Sequence, residues 1–150
     1  MENVLAYFLT WTTYGTWLQG DEHGWVKDGA VLAPNAKLKK YNQALMKNEE
    51  FRLTSQVKQV VKNAIIEEAR FRNHHIHALA VCSNHVHLVL ARTTEPIGSL
   101  VRNYKWATWS AIRKTGITGK VWTKGYDKRF CFDERSLKAR IAYVLNHLNE

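Results

Sequence analysis

Ser83-Asn84-His85-Val86-His87-Leu88-Val89-Leu90 sets two histidines one residue apart at the start of an apolar run. Read as a strand, its period of two places Val86, Leu88 and Leu90 on one face and His85, His87 and Val89 on the other. Two imidazoles then point the same way from one rigid element. They form a ready pair of ligands for a first-row divalent ion, which still needs a third group from elsewhere. The pattern is short, and two surface histidines on an edge strand satisfy it equally. His75-Ile76-His77 repeats the spacing a few residues earlier.

Outward from this stretch, Ile76 to Val81 reads as the preceding strand of a hairpin, with Cys82-Ser83-Asn84 as its turn and the third strand running from His85 to Ala91. Before the hairpin, Thr54 or Ser55 is a good N-cap for an amphipathic helix in which Val57, Val60, Val61, Ala64, Ile65 and Glu68 recur at threes and fours to about Arg70. Val4 to Trp11, rich in β-branched and aromatic residues, predicts a first strand buried on both faces near its centre. After Thr93, Thr94 and Pro96 a second helix runs to Arg113 or Lys114 and closes at Gly116, with Leu100, Val101, Tyr104, Ala107 and Ala111 facing inward. Gly119 to Trp122 and Lys128 to Phe132 read as short strand pieces. Asp133 then opens a last helix whose Leu137, Ile141, Val144, Leu145 and Leu148 form one stripe, while Ser136, Arg140, Tyr143 and His147 fall on the opposite side. Only the stretch from Leu18 to about Phe51, with a small basic run at Lys37, Lys39 and Lys40, lacks a period; such a length is usually functional or mobile.

The order strand, helix, strand, strand, helix, strand pieces, helix fits an α+β, ferredoxin-like split βαβ arrangement. Its antiparallel sheet carries helices on one face and leaves the face bearing His85 and His87 open. A length of 150 residues with 45% hydrophobic content suits one domain spanning 1–150. The 22 Lys and Arg outnumber the 13 Asp and Glu to give +9, which points to a polyanionic partner. Six Trp, six Tyr and five Phe among those cations suit single-stranded nucleic acid, whose bases stack on rings, although for any one ring the core is the commoner home. Cys82 and Cys131 form neither a disulfide framework nor a CxxC site, so a reducing compartment is expected. The acidic Met1-Glu2-Asn3 start and the threonines after it argue against a signal peptide or spanning helix, and the expected location is cytoplasmic.

Two further groups of residues carry chemistry. Tyr143 and His147 lie four apart and are neighbours on a helix, so a hydroxyl and an imidazole can meet one reaction centre; an exposed ring beside a solvated histidine is the plainer alternative. Arg102, Lys105 and Arg113 give the second helix a basic face, either merely solvated or in contact with phosphates.

His85-Val86-His87, preceded by Asn84 and followed by an apolar strand, resembles the His-hydrophobic-His motif of the HUH nucleases. Tyr143-Val144 with Asn146 and His147 in a terminal helix resembles the nucleophile helix of their single-tyrosine transposase branch, which includes insertion-sequence and REP-associated tyrosine transposases. The Tyr7-Phe8-Leu9-Thr10-Trp11 strand, the histidine hairpin, the Lys105 helix, Trp122 and the final helix occur in the same order. The resemblance implies a small basic enzyme that cuts and rejoins single-stranded DNA near hairpins, usually as a homodimer and without a membrane, through a 5′-phosphotyrosine intermediate. It makes Tyr143 the nucleophile, and His85, His87 and His147 the ligands of a divalent metal, Mg²⁺ or Mn²⁺ with Zn²⁺ possible. Arg102, Lys105, Arg113 and Arg140 become the DNA-contacting side chains. One departure stands out: relatives carry glutamine or asparagine where this chain has His147, and a third imidazole favours nitrogen-loving ions over Mg²⁺. A binding module of the same fold that has lost catalysis is the alternative. A hydrolase of small phosphates is disfavoured by the charge and by the lack of paired carboxylates.

Overall fold

The computed structural model describes residues 3–15, 25–27, 30–32 and 50–148. In chain order the elements are β1 (Ala6–Thr12), β2 (Trp25–Lys27), β3 (Ala30–Leu32), α1 (Ser55–Arg72), β4 (Ile76–Val81), β5 (His85–Ala91), α2 (Ile97–Lys114), β6 (Asp127–Cys131) and α3 (Glu134–Leu145). Most of the stretch that showed no period in sequence, the basic run at Lys37, Lys39 and Lys40 included, lies outside the described residues, apart from the small hairpin that β2 and β3 form within it.

The main sheet has the order β4-β5-β1-β6, with every neighbouring pair antiparallel. The connection β1-α1-β4 leaves a gap that β5 fills, and β5-α2-β6 steps over β1, so two split βαβ units interlock into the ferredoxin-like arrangement expected from the element order. β1 lies in the interior of this sheet, and the first six residues of its Ala-Tyr-Phe-Leu-Thr-Trp-Thr run are buried on both faces or nearly so.

Strand alternation divides the interior in two. Tyr7, Leu9 and Trp11 of β1 and Val86, Leu88 and Leu90 of β5 meet α1 and α2 in the larger core. α1 is held at its start by Thr54, whose side chain accepts from Val57 N–H, and stops where Asn73 takes a left-handed φ of 59°. Its buried stripe is Val57, Val61, Ile65 and Ala69, with Val60 only half-buried. On α2 the inward residues after Tyr104 are Thr108 and Ile112, whereas Ala107 and Ala111 are half-buried. A threonine is tolerated there because its hydroxyl donates back to Tyr104 O at 2.8 Å and accepts the Trp122 indole N–H at 2.9 Å. Gly119 to Trp122 contributes a single bridge, Trp122 to Thr13, rather than a strand.

The other face is not open. α3 lies across it, placing Leu137, Val144 and part of Ile141 against Ala6, Phe8, Ala78, Ala80, Cys82, Val89 and Cys131. Leu145 and Leu148, expected on the buried stripe, are 47% and 53% exposed: Leu145 ends the helix off its narrow line of contact with the sheet, and Leu148 lies in the turn beyond it. Fully burying one aliphatic side chain stabilises by about 1.5–3 kcal/mol. With two buried residues, Leu137 and Val144, against four on α1 and, on α2, three aliphatics plus Tyr104 and Thr108, α3 is the least firmly seated helix. A capping box compensates at its start, where the Asp133 side chain accepts from Ser136 N–H and the Ser136 hydroxyl from the Asp133 backbone.

Candidate active site

Register fixes the surroundings of the histidine pair. His85 stands opposite Thr12 and His87 opposite Thr10 on β1, while Ala80 of β4 flanks His87 on its other side. Both imidazoles face α3, as the strand period predicted, and their ring centroids are 4.5 Å apart. His87 is buried, and its Nδ1 shares a 2.8 Å hydrogen bond with the Thr10 hydroxyl. His85 Nδ1–H donates to Asn84 Oδ1 at 2.7 Å. Burial first, and then the neighbouring His85, His147 and Arg140, push the His87 pKa down to about 3, so this ring is neutral at physiological pH and able to offer a lone pair.

α3 brings the other side chains over the pair. Arg140, Tyr143 and His147 do not lie on the far side of this helix; they occupy the flank that meets the sheet beside the Leu137-Val144 stripe. The His147 ring is 4.9 Å from that of His87 and 6.1 Å from that of His85. Tyr143 lies 5.8 Å from His87, 4.4 Å from His147 and edge-on to Phe8 at 6.0 Å, and its side chain is 45% exposed, open to a large substrate. The Arg140 guanidinium sits 4.5 Å over Phe8 and 5.5 Å from the Tyr143 ring, so a cation flanks the phenol. Just beyond the helix end, His147 Nδ1–H donates to Tyr143 O at 2.7 Å, and the Cys82 thiol donates to His147 O at 3.3 Å, tying the end of the helix to the hairpin turn. Both cysteines are buried thiols, consistent with the absence of a disulfide pattern.

Three rings bound through nitrogen to one ion, at about 2.1 Å, place their centroids roughly 4.5–5.3 Å apart. Two of the three observed separations fall in that range and the third, His85 to His147, is wider by less than an ångström. Nδ1–H donation by His85 and His147 leaves their lone pairs on Nε2, and a neighbour orienting the other ring nitrogen is the usual support of a ligating histidine. Among the described residues no group of three His, Cys, Asp or Glu already has its donor atoms converged for a metal. Residue type and two of the three ring spacings thus suit a divalent ion, while the wider His85–His147 pair leaves the cluster short of a formed site.

The remaining sequence candidates divide. Arg140 lies at the cluster, whereas Arg102, Lys105 and Arg113 are on α2, on the opposite side of the sheet. Arg102 is exposed and bonds Ser99. Lys105 is half-buried and donates to the carbonyls of Thr123 and Gly125, and burial lowers its pKa. Arg113 donates to the carbonyls of Ile117 and Gly119 and stacks over Trp109 at 4.9 Å. The His75–His77 pair also touches, at 4.7 Å between centroids, but on the edge strand and away from Tyr143. Thr10, Cys82 and Phe8 were not singled out by sequence reasoning; only the pairing of Thr10 with His87 across two strands reveals the first of them.

A ferredoxin-like sheet with a histidine pair on a central strand, crossed by a tyrosine-bearing helix, defines a class of DNA-processing proteins. The sequence profile of the IS200-like transposases matches residues 40–147, and the chain belongs to that family. Among solved structures, a REP-associated tyrosine transposase bound to a REP hairpin superposes with a TM-score of 0.58 at 14% identity, over 95% of this chain and 65% of its own. This chain thus spans less than two thirds of that neighbour. A candidate transposase from Deinococcus radiodurans superposes with a TM-score of 0.53 at 19% identity, over 98% of this chain and 93% of its own. A search of curated proteins by sequence finds no match. Among the described residues no helix is long and apolar enough to cross a membrane.

Proposed function

We propose that this chain cuts and rejoins single-stranded DNA beside hairpins, with Tyr143 as nucleophile and His85, His87 and His147 as the ligands of a divalent metal. The observation that carries the reading is the convergence of Tyr143 and His147, from α3, on the histidine pair of β5. The Tyr143 oxygen attacks the phosphorus of the scissile phosphodiester and its proton passes to solvent. The bond from phosphorus to the 3′ oxygen breaks, leaving a 5′-phosphotyrosine and a free 3′-OH. One phosphodiester replaces another, so the reverse attack by a 3′-OH rejoins DNA without a separate energy source. The metal, when bound, supplies Lewis-acid polarisation of a phosphate oxygen. His87 enters this chemistry neutral, Thr10 and Asn84 hold the two strand imidazoles in orientation, and Arg140 places positive charge beside the phenol where phosphate must sit. Three imidazoles favour Mn²⁺ or Zn²⁺ over Mg²⁺. The hairpin in the neighbouring transposase structure supports hairpin DNA as the substrate class.

Incubation with a single-stranded hairpin oligonucleotide and Mn²⁺ or Mg²⁺, followed by a denaturing gel and peptide mapping of the covalent product, tests the reading. An adduct on Tyr143 is expected. Hairpin binding with no adduct under either metal would make the chain a binding module that has lost catalysis, the outcome to which His147, in place of the relatives' amide, would then be traced.

A further inference from the structure

Away from the histidines, on the α2 side of the sheet, a groove of about 600 Å³ runs between one flank of α2 and the segment from Lys120 to Lys124. Trp106 and Trp109 line its helix side, and Tyr14 and Trp122 are among the residues of the other. Trp106 is 65% exposed and Trp109 38%, and neither belongs to the buried stripe of α2. The core accounts for Trp11 and, by its indole bond to Thr108, for Trp122; it does not account for these two.

The opposite wall is built rather than loose. Thr123 N–H donates to Thr12 O at 2.9 Å, its hydroxyl to Thr13 O at 2.9 Å, and Tyr14 N–H to Val121 O at 2.7 Å. Lys105, reaching across, holds the carbonyls of Thr123 and Gly125. Lys120 lies 5.3 Å over the Tyr14 ring, Lys124 completes the rim, and among the described residues lining the groove none is acidic. Flat rings recessed among cations match a stacked base whose phosphates run along the rim, and suit an acidic protein surface less well because the groove floor is aromatic.

Resting on the reading that the chain acts on single-stranded DNA, we propose that this groove binds unpaired nucleobases of that strand, stacked on Trp106 and Trp109. Its position suits the role. Thr12 pairs with His85 on one side and bonds Thr123 on the other, so the backbone of the groove wall lies two strand spacings, about 10 Å, from the backbone of the histidine strand, with the groove on the opposite face of the sheet. A strand reacting at Tyr143 reaches the groove by rounding the end of β1.

The test compares wild type with Trp106→Ala, Trp109→Ala and Trp106→Phe for binding of an unstructured oligothymidylate and of a blunt duplex, by fluorescence anisotropy, with the hairpin adduct assay run in parallel. Loss of one stacked ring is expected to weaken oligothymidylate binding about 5- to 150-fold. Trp106→Phe, which keeps a ring, should stay within about threefold of wild type, and duplex binding should not change. Circular dichroism checks folding, which the exposure of Trp106 makes secure. Wild-type affinity for oligothymidylate in both alanine variants, with adduct formation intact, overturns the groove while leaving the proposed function standing. Equal losses on duplex and single strand also overturn it, since duplex bases are not available to stack. Failure of wild type to bind any single strand removes both readings.

Discussion

Replacing Tyr143 and Tyr104 one at a time by phenylalanine removes the same atom from two helices and should have opposite consequences. Tyr104 is fully buried on α2, and its hydroxyl lies 2.7 Å from His74 Nδ1, on a side chain only 2% exposed. His74 Nε2 bonds Glu95, which also meets Arg72 at 3.5 Å, so the hydroxyl closes the buried end of a network whose Glu95 and Arg72 side chains reach solvent. Burial, and then Glu68 and Glu95, raise the Tyr104 pKa above its ordinary value, which keeps the proton on that oxygen. Deleting it strands a ring nitrogen at a cost of about 1–3 kcal/mol. For a chain of this size that lowers Tm by about 2–12 °C. Tyr143 is half in solvent, and phenylalanine keeps its contacts with Phe8, His87, Arg140 and His147. Its stability should therefore stay within about 0.5 kcal/mol. Urea and thermal unfolding should find Tyr104→Phe destabilised yet still forming the DNA adduct, and Tyr143→Phe as stable as wild type yet forming none. Cleavage that survives Tyr143→Phe without an adduct would replace the phenol by an activated water, a surviving adduct would move the nucleophile to another side chain, and a Tyr104→Phe change below about 0.5 kcal/mol would mean that water satisfies His74 after all.

His85→Ala or His87→Ala should abolish metal-dependent cleavage while hairpin affinity changes by less than about threefold, because the positive charge that meets phosphates comes from Arg140 and the other basic side chains and not from the strand imidazoles; calorimetry with Mn²⁺ should show the ion lost in parallel. If His75→Ala or His77→Ala does the damage instead, the wrong pair has been assigned. Binding to a single strand should fall with salt at a slope of about 0.7 per phosphate neutralised, and a flat response between low and moderate salt would contradict the role given to the +9 charge. The Asp133 carboxyl is held below its ordinary 3.8, chiefly by the Ser136 backbone N–H and then by the Ser136 side chain. Its contribution is therefore complete above 3.8 and lost as pH falls through the lower folded value, so the protection of α3 amides relative to their intrinsic exchange rates should fall in acid, and less steeply in Asp133→Ala.

The histidine strand was legible because alternation over His85 to Leu90 decides its faces without reference to any other segment, and the element order then allowed few topologies. Thr54, Asp133 and Gly116 marked helix boundaries through local capping chemistry that tertiary context does not override. The seat of α3 was less legible. Leu145 and Leu148 satisfy the same 100° period as Leu137 and Val144, but the sheet's narrow line of contact leaves out the first and the helix stops before the second. Lys105 shows the limit most clearly: a lysine on an amphipathic helix reads as a solvated or phosphate-seeking cation, and nothing local says that carbonyls of a segment some 20 residues on will enclose it. Thr10 was equally silent, since its bond to His87 spans 77 residues of chain.

Beneath α3 the sheet offers Ala6, Ala78, Ala80 and Cys82, all nearly inaccessible. These short side chains act as a spacer of minimum thickness, setting the height at which Tyr143 and His147 ride above His87. A valine or leucine at Ala78 or Ala80 would work as a shim. Overpacking of this kind costs about 1–3 kcal/mol when it cannot be absorbed. A helix held by two buried residues would take up such strain by lifting, so on the proposed mechanism the substitution should cost the phenol its reach more than the fold its stability. Alanines that touch neither metal nor DNA would in that way set the distance on which the proposed chemistry depends.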